Sequence, residues 1–352
     1  MSEIRPLERE DLPAVAELLR ANLPGWAGDE QFLAVQTLDH PWADEAFPSL
    51  VAVDEAGNVA GFIGAQVRRM RFDGDSVSGV CSTQLAVDRD SRNTAVGAFL
   101  LKRMMSGQQL LTWSDSSTDA VVRIWDAFGG HSDATRACDW MLVLRPVRWV
   151  GGALGALARR RPVRRTLVPV AGLPFQAAGR RIIPSTHPDP PDDVGSEEAS
   201  SALLVESLPA ITRGMRLWVD HDEAHLDHMF RELERFYETA VVRRLVRRGG
   251  QPIGWYAYMH LSGRVAHILH LATSEREADA VLGELVGQAR DTGTAVLAGR
   301  AEPHLMGSLS RRFAVLGFAR HPVLHASEPE IAAVLSSGSS LLTRLDGEPF
   351  AA

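Results

Sequence analysis

The chain has 352 residues, of which 45% are hydrophobic and 23% are charged, so it is long enough for two globular domains with separate cores. The formal net charge of -7 and the pI near 6.0 exclude a general attraction to nucleic acid or to an anionic membrane surface. The apolar runs are far shorter than the roughly 20 residues of a membrane span, and the N-terminus has no signal-peptide pattern. We therefore expect a cytoplasmic protein without a membrane span.

Residues 1–145 alternate between strand and helix patterns. "IRPLEREDLPAVAELLRANL" predicts a strand, a turn and then a helix that begins near Glu10 or Asp11. "SLVAVDEAGNVAGFIGAQVRRMRFDG" predicts two strands joined at "DEAGN", because Asn and Gly accept the positive φ of tight turns. "VSGVCSTQLAV" predicts the next strand, residues 98–105 a helix and "QLLTWSDSS" a further strand. "TDAVVRIWDAFGG" predicts a helix with a left-handed cap at Gly129 and Gly130.

The composition then changes, and we interpret residues 146–205 as a connector rich in arginine and proline. "RPVRWVGGALGALARRRPVRR" predicts either an interdomain helix with solvated arginines or a basic amphipathic helix on a membrane or partner. "PSTHPDPPDDVGSEE" predicts a solvated loop, because a segment rich in proline and acidic residues cannot pack a core.

Residues 206–352 repeat the order of elements of the first half. "VVRRLVRRGGQPIGWYAYM" predicts a hairpin, "VAHILHLATS" a strand, "EADAVLGELVGQAR" an amphipathic helix, "TAVLAGR" a strand and "LSRRFAVLGF" a helix that ends in Gly-Phe. Alignment of "RIWDAFGG" with "RRFAVLGF" sets Trp125 against Phe313. The chain therefore looks like a tandem of two related domains.

The stretch "VDRDSRNTAVGAFLLKRM" passes from strand to helix through a turn with small residues. The first N–H groups of a helix have no partner within the helix and carry a partial positive charge, so they bind anions where the side chains are small. Ala95 and Gly97 leave that space, and Arg92 adds a cation. The turn predicts a diphosphate site, with a turn that is small only for packing as the alternative.

"LAVDRDSRNTAVGAFLL" resembles motif A of the Gcn5-related N-acetyltransferases, an Arg/Gln-x-x-Gly-x-Gly/Ala turn after a strand, and residues 3–130 follow that family's order of elements. The resemblance implies an α/β (α+β) fold of two tandem domains of that family's type, each a mixed, mostly antiparallel sheet flanked by helices. It also implies acetyl-CoA as co-substrate and no metal. The implied cofactor-binding residues lie on the strand and in the turn: Leu85, Ala86, Val87, Arg92, Asn93, Thr94, Ala95, Val96 and Gly97.

Two positions depart from the pattern of the family. Ala95 replaces the first glycine of the turn, which is compatible with the cofactor site if its φ is negative. Trp125 stands where many members carry the tyrosine that protonates the leaving thiolate, and an indole N–H is no acid near neutral pH.

The general base is also uncertain, because "CSTQ" replaces a segment that carries a glutamate in many relatives. Aminolysis of a thioester needs an uncharged amine, so a carboxylate or an ordered water must accept a proton. We expect catalytic roles for Asp115, as the base, and for Thr83, which would order a water. Asp39 and His40 are further candidates for the base.

The second half lacks the phosphate turn, since Glu275 and Glu277 stand where an anion would bind. The resemblance thus implies a degenerate domain in residues 206–352 that walls the substrate cleft, fixes the domain geometry or holds a partner. The tail "LLTRLDGEPF" predicts a strand and an exposed end, rather than a return of Asp346 or Glu348 to the cleft.

"WVDHDEAHLDHMF" contains His221, His225 and His228 at helical spacings that suit metal ligation, but it fits no definite zinc pattern. We interpret it as a solvated helical face, and we expect no metal site.

The function implied by the resemblance is transfer of an acetyl or related acyl group from CoA to a small amine, directly in a ternary complex. A CoA-binding or scaffold module without turnover in a biosynthetic complex is one alternative. An acyltransferase that takes its acyl group from an acyl carrier protein is another, because an acidic carrier would suit the arginines of the connector, Arg159, Arg160, Arg161, Arg164 and Arg165. A homodimer remains open, and nucleic acid is not expected as a partner.

Overall fold

The computed structural model describes residues 3–23, 25–89, 91, 95–145, 189–262, 264–318 and 321–350. Its strands are β1 (Glu3–Pro6), β2 (Leu50–Val53), β3 (Val59–Phe72), β4 (Asp75–Val87), β5 (Leu111–Ser114), β6 (His131–Ser132), β7 (Cys138–Val143), β8 (Val194–Glu198), β9 (Leu217–Val219), β10 (Val242–Arg248), β11 (Gln251–Ser262), β12 (Val265–Thr273), β13 (Val296–Arg300), β14 (Val315–Phe318), β15 (Val323–Ala326) and β16 (Ser340–Leu341). Its α-helices are α1 (Leu12–Asn22), α2 (Glu30–Gln36), α3 (Val96–Met105), α4 (Asp119–Ala127), α5 (Ser201–Ile211), α6 (Glu223–Tyr237), α7 (Ala278–Asp291), α8 (Met306–Arg311) and α9 (Pro329–Ser336). No helix in these ranges combines the length and the apolar character needed to cross a bilayer.

The strands form two mixed sheets of matching design. The first has the order β1-β2-β3-β4-β5-β15-β6, with β9 and β16 attached beside β3. The second has the order β14-β7-β13-β12-β11-β10-β8. Each main order contains a single parallel pair, β4 with β5 in the first sheet and β12 with β13 in the second. The helix that links each parallel pair is α3 in the first half and α7 in the second.

The two sheets exchange strands. β7 comes from residues 1–145 but pairs with β13 and β14 of the second sheet. β15 comes from residues 206–352 but pairs with β5 and β6 of the first sheet. β8 and the start of α5 lie within residues 146–205, the predicted connector, but they belong to the second sheet and its helices. The halves of the chain are therefore interlocked through backbone hydrogen bonds, which local sequence patterns do not reveal.

Local sequence signals explain the start of the first sheet. The predicted apolar face of α1 is buried, with Leu12, Val15 and Leu19 between 0 and 5% exposed. In the hairpin between β2 and β3, the carboxylate of Asp54 accepts hydrogen bonds from two backbone N–H groups of the turn, and Gly57 has a φ of 89°. These predictions are confirmed.

The end of α4 also follows its sequence signal. Gly129 has a φ of 82°, and the N–H of Gly130 donates to the carbonyl of Trp125 at 2.8 Å. This is the predicted left-handed cap.

The prediction for "LSRRFAVLGF" is wrong. The helix α8 ends at Arg311, Phe313 has a φ of 54°, and the residues that follow form the edge strand β14. The proposed alignment of Trp125 with Phe313 also fails, since Trp125 is fully buried whereas Phe313 is 75% exposed. A short apolar run bounded by Gly suits either a helix or a strand, and here pairing with β7 decides for the strand.

Candidate functional site

β4 and β5 diverge in the middle of the first sheet, and this divergence opens an edge of β4. Their last parallel pair is Cys81 with Trp113, whereas β4 continues to pair with β3 as far as Val87. Among the described residues, the edge of β4 over residues 82–87 that faces away from β3 has no strand partner. Its N–H and C=O groups can therefore pair with an extended ligand.

A bulge lies in the same part of β4. The register with β3 shifts opposite residues 62–64, and Gln84 has a φ of 56°. A β-bulge bends the strand and increases its local twist. This turns β4 away from β5 where the two strands part.

The N-terminus of α3 lies at the end of this open strand. Its cap residue Ala95 has a φ of -81°, so the negative φ that we required at this position is present. Ala95 is exposed, Gly97 is half-buried, and no described side chain caps the first N–H groups. A Cβ at Gly97 would lie 3.2 Å from Cγ2 of Val87, so the glycine also lets α3 pack closely on β4. The helix begins at Val96, two residues before the predicted start.

The predicted cofactor-binding residues fall into two groups. Leu85, Ala86 and Val87 lie on the open part of β4, and Ala95, Val96 and Gly97 lie in the first turn of α3. The structure thus brings both described groups to one site. Arg92, Asn93 and Thr94 are outside the described residues, as are the connector arginines Arg159, Arg160, Arg161, Arg164 and Arg165.

Trp125 does not face this site. It is fully buried in the cluster that joins α3 and α4 to the first sheet, where it packs among residues such as Leu100, Met104 and Val323. The tryptophan at this position therefore contributes to core packing.

Asp115 lies just after the end of β5 and is 4% exposed. One carboxylate oxygen accepts a hydrogen bond from Arg300 at 2.6 Å, and the other accepts one from the N–H of Glu348 at 3.0 Å. Arg300 is itself buried at the end of β13 and contacts Glu302 and the carbonyl of Leu342. Asp115 thus joins the first sheet to the second through a buried ion pair.

Arg300 occupies the position in the second sheet that Asp115 occupies in the first. Counting from the last parallel pairs, Cys81 with Trp113 and His267 with Ala298, both residues stand two places after the end of the pairing. The two strand divergences therefore face each other, and opposite charges meet between them.

The C-terminal segment passes from one divergence to the other. In the second sheet, the N–H of Leu345 donates to the carbonyl of Leu269 at 2.8 Å, on the part of β12 that has separated from β13. The chain's own backbone thus fills the place that stays open on β4. Within the described residues, this part of β12 therefore does not offer the open edge that β4 offers.

At the first divergence the C-terminal segment reaches β5. Oε2 of Glu348 accepts hydrogen bonds from the backbone N–H groups of Asp115 and Ser116 at 3.0 and 2.9 Å. Asp346 is fully buried and Glu348 is 9% exposed. The expectation of an exposed end is therefore wrong, because buried partners such as Arg68, which donates to the carbonyl of Asp346 at 2.7 Å, hold the segment between the sheets.

The other candidates for proton transfer have different environments. Thr83 is buried on β4, and its Oγ1 would lie 2.4 Å from a Cβ at Gly64, so the glycine makes room for the hydroxyl. Asp39 forms an ion pair with Arg9 on the surface. Burial lowers the pKa of His40 to about 2, so its imidazole is neutral.

The histidines of "WVDHDEAHLDHMF" face the interior. His221, His225 and His228 are between 0 and 5% exposed, so the interpretation as a solvated face is wrong. α6 begins with Asp222 as its cap, and its inward face carries two of these histidines together with apolar residues. The acidic neighbours that suggested a solvated helix lie on its cap and outer face.

Comparison of the sequence with protein-family models and with curated proteins gives no match. Comparison of the structure does give matches. A GCN5-related N-acetyltransferase from Anabaena variabilis is similar with a TM-score of 0.61 at 10% identity, over 93% of this chain and 73% of the other. A protein from Enterococcus faecalis described as a probable N-acyltransferase has a TM-score of 0.58 at 9% identity, over 93% and 73% of the two chains. Saccharomyces cerevisiae N-myristoyltransferase with bound myristoyl-CoA has a TM-score of 0.52 at 11% identity, over 92% and 77%.

Identities near 10% carry information about the fold alone. The strand order of the two sheets, with one parallel pair in each main order, agrees with the structural similarity over more than nine-tenths of the chain. The chain therefore has the fold of the GCN5-related N-acetyltransferases, as two tandem domains of that type.

Proposed function

We propose that this protein is an acyl-CoA-dependent N-acyltransferase with one cofactor site, in its N-terminal half. The observation that carries the proposal is the uncapped N-terminus of α3 at the end of the open edge of β4. A diphosphate fits the N-terminus of α3, because N–H groups and a partial positive charge converge there. A pantetheine arm fits the open edge of β4, because the amides of the arm can pair with strand backbone. The similar solved structures, two of which carry N-acetyltransferase or N-acyltransferase in their names, support the same class.

In this proposal the chain's residues bind and orient the reactants. The N–H groups at the start of α3 hold the diphosphate, and the backbone of Leu85, Ala86 and Val87 holds the arm. Bound acyl-CoA supplies an activated thioester carbonyl for attack by an amine. We propose direct transfer to a small amine in a ternary complex, with Thr83 ordering a water at the divergence.

Asp115 has a positioning role in the proposal. Both of its carboxylate oxygens accept hydrogen bonds within the protein, so Asp115 does not serve as the base in this proposal. Its contacts with Arg300 and with the N–H of Glu348 instead hold the end of β5 against the C-terminal segment.

We propose acetyl or a similarly small group as the donor, because the similar structure from Anabaena variabilis carries N-acetyltransferase in its name.

The test has two stages. Calorimetric titration with acetyl-CoA, CoA and myristoyl-CoA measures whether the site binds the cofactor and which chain length it prefers. Release of free thiol with a panel of amino sugars, amino acids and polyamines then measures turnover. Binding of acetyl-CoA with amine-dependent thiol release is the expected result.

Other outcomes contradict parts of the proposal in different ways. Binding without release across the panel indicates a CoA-binding module. Preference for myristoyl-CoA contradicts the short acyl group. Absence of binding to every CoA species contradicts the site itself, and consumption of an acylated carrier protein in that case supports a carrier-dependent enzyme.

A further inference from the structure

A buried group of three side chains outside the proposed cofactor site has the composition of a metal centre. His221 precedes α6, His270 lies on β12, and Asp346 belongs to the C-terminal segment. Their exposed fractions are 3, 1 and 0%. One ligand atom from each, a ring nitrogen or a carboxylate oxygen, lies within 4.8 Å of the other two.

The hydrogen bonds around His270 leave one ring nitrogen without a proton. The hydroxyl of Thr343 has a single hydrogen, and it lies 2.8 Å from Oδ2 of Asp346, to which it donates. Nδ1 of His270 is 2.8 Å from the same hydroxyl and must therefore donate its own N–H to it. With the single N–H of the neutral ring on Nδ1, Nε2 keeps a lone pair.

That lone pair points to other atoms that lack a hydrogen bond. Nε2 of His270, Nε2 of His221 and Oδ1 of Asp346 are all buried and make no hydrogen bond of acceptable geometry, although the last two are 3.0 Å apart. Nδ1 of His221 lies 3.2 Å from Nδ1 of His225. If His221 donates to His225 through Nδ1, its Nε2 also carries a lone pair. Three acceptor atoms, one each from His221, His270 and Asp346, then lie close together. Buried acceptors without a donor are costly, and a bound cation removes that cost.

The outer contacts match those of metal-binding histidines. Such histidines donate their second N–H to an acceptor that fixes the ring, as Nδ1 of His270 does towards Thr343. Trp255 also stacks on His270 with ring centroids 3.8 Å apart, which holds the ring in place. Two imidazoles and one carboxylate, with a place left for a further ligand, form a donor set typical of zinc.

The local charge favours a cation as well. The described interior between the sheets contains five buried carboxylates, those of Asp115, Asp133, Glu302, Asp346 and Glu348. It contains four buried guanidinium groups, those of Arg68, Arg136, Arg300 and Arg344. The carboxylates exceed the guanidinium groups by one, so a bound cation would offset the remaining negative charge.

We propose that His221, His270 and Asp346 bind a divalent transition-metal ion, with zinc as the first choice. The ion links the start of α6, the separated part of β12 and the C-terminal segment, which are distant in sequence. Its role is structural: it fixes the segment that runs on to Glu348 at the first divergence.

Metal analysis of the full-length protein tests the proposal independently of acyl-CoA binding. The protein is produced with added zinc, freed of its affinity tag, dialysed and analysed by inductively coupled plasma mass spectrometry. We expect about one zinc ion per chain, and a fall in Tm after removal with a strong chelator that added zinc reverses. Replacement by Co²⁺ should give the visible absorption bands of a low-symmetry site with nitrogen ligands.

Two variants and one control locate the ion. His270→Ala and Asp346→Asn should each lower zinc affinity by about 100-fold or more, since loss of an outer partner alone costs 10–100-fold. His260→Gln is the matched control, because His260 lies on the neighbouring strand β11 and contacts Thr294 at 2.9 Å. It should retain the zinc.

The result for the unmodified protein decides the matter even if a variant fails to fold. Only trace zinc after loading, together with a Tm that neither chelator nor zinc changes, would overturn the proposal. The cluster would then be an ion pair of His221 and Asp346 with His270 solvated by a buried water. Full zinc content in both folded ligand variants would also overturn it.

Discussion

Replacing Ala95 with glutamate separates the stability of α3 from its ability to bind a diphosphate. Ala95 is exposed at the cap position with a φ of -81°, so a longer side chain meets no steric barrier there. Gly97 is a poorer choice, since any Cβ would lie 3.2 Å from Val87 and could disturb packing. A negative charge at a helix N-terminus stabilises the helix by about 0.3–1 kcal/mol. The Tm of the variant should therefore not fall.

The same charge opposes the proposed ligand. Two like charges about 4 Å apart repel by about 1 kcal/mol in water, and a diphosphate carries two. The Ala95→Glu variant should thus lose about 2 kcal/mol of binding free energy, which is roughly a 30-fold weaker Kd for acetyl-CoA. Calorimetric titration measures the Kd, and thermal unfolding measures the Tm.

Ala95→Gln is the matched control because it has the same size without the charge. Its Kd should stay within about 3-fold of the unmodified protein, as for an ordinary surface substitution. Equal affinities for the glutamate and glutamine variants would refute the placement of the diphosphate at α3. A glutamate variant that loses both affinity and stability would refute the claim that the charge weakens diphosphate binding without destabilising α3.

Three further predictions concern residues described above. Trp125→Ala should lower the free energy of unfolding by about 3–5 kcal/mol, as expected for a fully buried aromatic residue, while the kcat of the folded fraction stays unchanged; a large fall in kcat in a stable Trp125→Phe variant would indicate a catalytic role instead. Arg300→Met should cost about 3–5 kcal/mol in urea unfolding, because it leaves the buried carboxylate of Asp115 without its guanidinium partner; a double variant with Asp115→Asn should recover part of that loss, and a simple sum of the two single losses would contradict the ion pair. The hydrogen bond from Arg5 lowers the pKa of Asp11 in the folded state, so its stabilisation is present above the pKa of the unfolded state and is lost as the pH falls through the folded value; Asp11→Asn should therefore cost about 1 kcal/mol at pH 7 and almost nothing once the pH lies below the folded value, and a difference that is constant with pH would count against it.

Local signals in the sequence predict the first half of the fold well. The apolar spacing of Leu12, Val15 and Leu19 is enough to define α1, and "DEAGN" is enough to define the hairpin. The small residues Ala95 and Gly97 locate the helix N-terminus at the candidate site. These features depend on contacts close in sequence, so a single sequence is enough to predict them.

The remaining features depend on distant partners. The strand exchange of β7 and β15 has no local signature, because a strand pattern in the sequence does not specify the partner strand. The polar composition of "LLTRLDGEPF" predicts exposure, and its burial follows from partners distant in sequence such as Arg68, Arg300 and His221. Arg300 looks like an ordinary residue at the end of "TAVLAGR". The one signal for its role is Asp115, a carboxylate at the corresponding position after the strand of the first half.

The exchange of strands has a consequence for the order in which the protein acquires its structure during translation. β5 can pair with β4 early, but its other edge receives β15 only when residues 323–326 have left the ribosome, and β7 likewise waits for β13 and β14. The nascent N-terminal half thus exposes unpaired edges of β5 and β7 until synthesis is almost complete, which is a state prone to aggregation. Chaperone dependence in the cell and slow refolding from denaturant should accompany this architecture.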